Sequence, residues 1–151
     1  MDLDDYYHRK DTKIPFTEFN SHEEIRKRVM NNIVIQPYFV MSGSIGDILW
    51  DLVNPLFDLA ILLFVPVEIR LERAHARELA WFGERILPGG DMHESYKKHL
   101  NMIESYETGV PPAVCLKRHE LWAAELSCPI LRLDGTKPIA ENASWIAEQI
   151  I

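Results

Sequence analysis

A mixed α/β fold built on a mostly parallel sheet is what this sequence predicts, and three stretches carry the prediction. Residues 59–67 form an apolar run, broken only by Pro66, that feeds directly into a charged helical pattern. Residues 33–41 (IVIQPYFVM) are β-branched, aromatic or apolar around Pro37, as in a strand buried on both faces. Residues 129–133 read as a short strand closed by the turn Asp134-Gly135-Thr136-Lys137-Pro138. Strands that alternate with helices imply a parallel sheet covered on both faces.

The helices follow in order. Ser21 with Glu24 three residues on is a capping box and starts a helix over about 22–31. Residues 1–20 before it are polar, contain Pro15 and read as loop. A helix or irregular segment spans 48–54. The helix after the 59–67 strand carries Arg70, Arg73 and Arg77. Residues 94–107 and 113–126 are two further helices, the second burying Leu116, Trp122, Ala123 and Leu126. Pro138 suits the first turn of the last helix, whose apolar face is Ile139, Ala143, Ile146, Ala147 and Ile150. The expectation is one domain, 1–151, with a lid region at about 83–93.

Composition narrows the function. With 47% hydrophobic and 26% charged residues the chain is ordinary globular material. A net charge of −7 argues against nucleic acid as a partner, since phosphate attraction needs a basic face. A polar, acidic N-terminus and the lack of any apolar run near the roughly 20 residues of a membrane span predict a soluble protein with no membrane partner. Cys115 and Cys128 have neither zinc nor disulfide spacing and read as buried, reduced thiols of a cytoplasmic protein. The 6 histidines are scattered, so no structural metal is expected.

Against this acidic background the arginines stand out. At about 100° per residue, Arg70, Arg73 and Arg77 fall within about 60° of one another on one helix face. Arg85 follows in a glycine-bounded loop. Guanidinium forks suit phosphate oxygens, so a small anionic or nucleotide-like ligand is one reading. A solvated helix paired to Glu68, Glu72 and Glu78 is the other.

Taken together, MDLDDYY, FVMSGSIGD, PLFDLAILLFVPVEIRLERAHARE, FGERILPGGDM and CPILRLDGTKPIAEN resemble a bacterial family of small P-loop kinase-like NTPases, described as AAA-family or adenylate-kinase-like ATPases. The likeness spans nearly the whole chain and is most specific over 85–92. It implies a three-layer P-loop NTPase fold of the nucleotide- or small-molecule-kinase type, with ATP and Mg as cofactors and phosphoryl transfer as the activity. Family members begin with a strand, a GxxxxGK[ST] loop, a helix and a second strand. Here the glycines stand at 43, 46, 83, 89, 90, 109 and 135, and none starts such a loop. The chain therefore reads as the family missing its first β-P-loop-α-β unit, and as inactive alone. The missing strand would lie between those near 33–41 and 58–66. Its loss predicts a chain that is poorly stable, oligomeric through exposed strand edges, or rearranged so that the flanking strands pair directly.

The resemblance also implies site roles. Asp4 is the expected catalytic base, with Asp2 and Asp5 beside it in the acceptor site. Gly43 and Ser44 belong to a loop next to that site. Arg73, Arg77 and Arg85 are lid arginines that stabilise the transferring phosphoryl group, and Thr136 and Lys137 touch adenine. His8 departs from the family, which has an aromatic residue there. A non-catalytic anion- or nucleotide-binding remnant and a purely structural interaction domain are the alternatives.

Overall fold

The computed structural model describes residues 1–150 as a mixed α/β protein. The chain divides into two compact units, Met1–Leu56 and Phe57–Ile151.

The first unit holds three helices: α1 (Asp4–Tyr7), α2 (His22–Ile35) and α3 (Asp47–Val53). The capping box works as expected, with the Glu24 amide donating to Ser21 Oγ at 3.2 Å. Ile25 and Val29 on α2 and Leu49 and Val53 on α3 recur every four residues, and all are fully buried with Leu3. Arg26 of α2 clamps Asp51 of α3 with two bonds of 2.7 and 2.9 Å and also donates to the Ile48 carbonyl. Residues 9–18 form a loop sealed at its base by an antiparallel bridge between His8 and Phe19. The His8 ring packs against Phe16 and Phe19, with centroids at 5.3 and 4.6 Å.

The expected strand over 33–41 is corrected here. Residues 33–35 are the last turn of α2, and 36–41 are irregular. Once a helix is nucleated by its cap, each added residue gains a hydrogen bond, and this outweighs the strand preference of Ile33, Val34 and Ile35. The helix stops at Gln36 (φ −124°, ψ 83°), because the residue before a proline is pushed out of the helical region. What remains of the extended segment is a parallel bridge between Asp2 and Ser42.

In the second unit β1 (Ala60–Phe64) and β2 (Ile130–Asp134) pair in parallel, from Ala60 opposite Ile130 to Phe64 opposite Asp134. Parallel pairing of these two segments is as expected from sequence. Between them lie α4 (Val67–Phe82), α5 (His93–Glu104) and α6 (Leu116–Glu125), and α7 (Ile139–Ile150) follows β2. Pro66 caps α4 and Gly83 ends it. Among the described residues β1 has one strand partner, β2, and since 33–41 forms no strand, direct strand pairing, one of the three outcomes expected above, does not arise. Gly135 closes the sheet, its amide donating to the Phe64 carbonyl at 2.7 Å. A Cβ there would stand 2.5 Å from Val65 Cγ2 and 2.9 Å from Leu63 Cγ, so only glycine fits without displacing β1.

Three further expectations change. The helix placed over 113–126 starts at Leu116, because 110–113 form a turn closed by the Ala113 amide on the Val110 carbonyl. Within it Ala123 is buried, whereas Leu116, Trp122 and Leu126 are half-buried. Nothing on α7 is buried, and Ile139 and Ile150 lie open. Of the two free cysteines, Cys115 is buried and Cys128 is half-exposed.

One cluster in this unit responds to pH. The Tyr106 hydroxyl meets His119 Nδ1 at 2.6 Å, and the His119 ring lies 5.3 Å from Trp122. Burial, then the Arg118 charge, lowers the His119 pKa below its ordinary 6.5. A histidine held neutral in the fold costs stability once the unfolded chain takes up the proton more readily. Stability is therefore full above 6.5 and falls as the pH drops from there through the lowered value. The same direction applies to His8, lowered chiefly by burial. The urea midpoint should fall between pH 7 and pH 5, and His119→Gln should flatten that fall.

Candidate functional site

The candidates read from sequence fall into two groups of side chains, one in each unit. In the first unit the chain enters along Ser42. The Leu3 amide donates to the Ser42 carbonyl, and the Ser42 amide donates to the Met1 carbonyl, both at 2.9 Å. Gly43 turns directly over Leu3 with φ of +121°, and a Cβ on it would approach Leu3 Cβ to 3.1 Å. The Asp-rich segment and the Ser42-Gly43-Ser44 loop, far apart in sequence, are thus neighbours. The loop is held further by Tyr7, whose hydroxyl accepts from the Gly46 amide at 3.0 Å.

Beside this segment lies an open cleft of about 460 Å³, lined by Met1, Asp2, Asp5, Tyr6, Arg28, Asn31 and Asn32. Asp2 Oδ1 accepts the Asp4 amide at 3.1 Å, which starts the α1 turn. Lys10 donates to Asp5 Oδ1 at 2.6 Å, and this bond holds the Asp5 carboxyl below its ordinary range. Arg28 lies over the Tyr6 ring at 5.4 Å and donates to the Asp5 carbonyl at 3.1 Å. The Asn32 amide donates to the Tyr6 hydroxyl. Of the three aspartates, Asp2 and Asp5 line the cleft, and Asp4 sits on α1 outside its lining. Arg28, Asn31 and Asn32 went unnoticed in the sequence. Their signal was the spacing i, i+3, i+4, which puts them on one face of α2.

In the second unit the arginines each have a separate partner. Arg70 donates to both carboxylate oxygens of Glu107, at 2.6 and 2.7 Å, and lies 4.8 Å over the Tyr106 ring. Arg73 donates to the Gly135 carbonyl at 2.8 Å, joining α4 to the turn after β2. Arg77 lies 3.5 Å from Glu78 and 5.4 Å from the centre of the Trp81 ring. Arg85 binds Asp91 at 2.9 and 3.1 Å, which raises its pKa. Together with the Met92 amide on the Arg85 carbonyl, this closes the 85–92 loop.

Thr136 is held by Asp134, whose Oδ1 accepts from its amide at 2.9 Å and from its hydroxyl at 2.6 Å. These bonds lower the Asp134 pKa. Lys137 pairs with Glu141 at 2.6 Å. Glu78, buried on α4, lies 3.5 Å from the Arg77 guanidinium and 3.0 Å from His99 Nδ1 of α5, an arrangement the sequence did not single out.

Among the described residues no group of three or more His, Cys, Asp or Glu side chains could hold a metal. The 151 residues also contain no glycine loop able to cradle a triphosphate. No helix is long and apolar enough to cross a membrane.

No family model matches the chain. No solved structure matches it. It is 29% identical over 151 residues to the uncharacterized protein YqaC of Bacillus subtilis strain 168, an alignment that takes in 99% of this chain and 82% of that protein.

Proposed function

We propose that these residues are the acceptor-binding and lid portions of a P-loop phosphotransferase of the nucleotide- or small-molecule-kinase type. The observation that carries the reading is the bond from Arg73 to the Gly135 carbonyl. It brings the arginine helix against the turn at the carboxyl end of a parallel strand, and ligands of open α/β sheets bind at such ends. The first unit repeats the pattern on a smaller scale, with Asp2 and the Ser42 loop side by side. In phosphoryl transfer a protein mainly positions groups and neutralises charge. Arg73, Arg77 and Arg85 take the second role, Thr136 and Lys137 contact the base, and the aspartates take the acceptor. The base role falls to Asp4 by resemblance, whereas the cleft favours Asp2. On this reading these 151 residues position the acceptor and neutralise charge, and a phosphate-binding loop is not among them.

A second reading, a remnant or structural domain, draws on a different observation: Arg70, Arg77 and Arg85 already have carboxylate partners inside the fold. An NMR titration with Mg-ATP separates the two. The expected result is a set of shifts at Arg73, Arg77, Arg85, Thr136 and Lys137 that shrink as salt rises, because these charges are solvent-accessible. An absence of shifts at these positions at millimolar nucleotide would sink the nucleotide reading and leave the structural one.

A further inference from the structure

We propose that the cleft formed by Asp2, Asp5, Tyr6, Arg28, Asn31 and Asn32 binds a small polyol carrying one anionic group, and that Arg28 recognises the anion. This rests on the phosphotransferase reading and names its acceptor class.

The argument starts from the charges. Asp5 is already answered by Lys10 at 2.6 Å and the Met1 amino group by the Val40 carbonyl, so the charged side chains left to a ligand are Asp2 and Arg28. Arg28 is not spent inside the fold. Its nearest carboxylate, Glu24, stands at 3.9 Å, beyond hydrogen-bond distance, and its side chain is 43% exposed. Yet it is oriented, by the Tyr6 ring beneath it at 5.4 Å and by the Asp5 carbonyl at 3.1 Å. A guanidinium held at one side with donors to spare suits a phosphate or carboxylate.

The remaining lining reads hydroxyls. The Asn31 side chain brings one acceptor and two donors, Asn32 adds its carbonyl oxygen, and Asp2 accepts only. An apolar ligand would leave these groups unpaired, and a cation would meet Arg28. A volume of about 460 Å³ admits a molecule the size of a pentose phosphate. Asp2, in the same lining, offers a carboxylate to which an acceptor hydroxyl can donate.

The test is an NMR titration of the 151-residue chain with D-ribose 5-phosphate, D-ribose, inorganic phosphate and putrescine as probes. Ribose 5-phosphate should shift the Arg28 side-chain and the Asn31 and Asn32 amide signals. D-ribose should bind about tenfold or more weakly, and so should ribose 5-phosphate to Arg28→Ala. Arg28→Lys should recover part of the affinity. Inorganic phosphate binding as well as ribose 5-phosphate would reduce the cleft to a bare anion site and overturn the polyol claim. Putrescine binding best, no shifts in the cleft with any probe, or Arg28→Ala behaving like wild type would each overturn the proposal. Because the readout needs neither ATP nor a phosphate loop, cleft binding without phosphoryl transfer in an extended chain would count against the kinase reading alone. Transfer to an acceptor that leaves these signals unmoved would count against this inference alone.

Discussion

Extending the chain upstream with a strand and a GxxxxGK[ST] loop is expected to raise its melting temperature and create ATP hydrolysis together. The reason lies in β1. One edge of this strand pairs with β2, and among the described residues its other edge has no strand neighbour. Its side chains are correspondingly open, with Ile61 44%, Leu63 57% and Phe64 50% exposed. Full burial of such a side chain is worth roughly 1.5–3 kcal/mol, against a usual total stability of about 5–15 kcal/mol. For a chain of this size each kcal/mol moves the midpoint by about 2–4 °C, so covering a few of these side chains should add on the order of 10 °C. The chain alone should be poorly stable or oligomeric, since an open apolar edge invites pairing with another copy. Replacing the loop lysine by alanine in the added segment should keep the stability gain and lose the hydrolysis. A monomeric 151-residue chain with cooperative, high-temperature unfolding and robust ATPase activity would refute the account.

Leu3→Ala should be the most damaging single truncation in the first unit. Leu3 is fully buried, flanked by the two aspartates, with the Gly43 backbone turned over it. Removing a buried leucine costs about 2–5 kcal/mol. A unit the length of Met1–Leu56 has only about 3–8 kcal/mol in all at ordinary stability per residue. The substitution should therefore release the Leu3 and Ser42 amides to hydrogen exchange and dissolve the cleft, whereas Leu3→Met should cost under about 1.5 kcal/mol. Exchange at these amides unchanged in Leu3→Ala would show that the Asp2–Ser42 contact is held by something else.

Sequence reading succeeded where local signals and tertiary packing agree. The Ser21–Glu24 cap, the apolar run of β1, the helix behind it and the β2 turn are all local patterns, and each appears in the fold. Reading failed at 33–41, where β-branched residues follow directly on an established helix and cooperativity decides against their preference. Burial was harder to read than structure type. The apolar face of α7 was visible in the sequence, but a face says nothing about whether a covering element is present. The resemblance placed the Ser42 loop beside the aspartates, but their contact is a long-range fact that no local pattern carries. Arg70, Arg73 and Arg77 were grouped by helical angle, which fixes a direction from the axis and not the partner each side chain finds.

The bond from Arg73 to Gly135 ends on a main-chain oxygen, and this has a consequence for how the turn can change. A carbonyl is the same group whatever side chains neighbour it. Thr136 and Lys137 are tied to Asp134 and Glu141, not to α4. Both residues can thus be exchanged without detaching the arginine helix, provided Gly135 stays. The anchor and the exposed side chains at 136 and 137 are separable, so those side chains can change while the scaffold beneath them stands still.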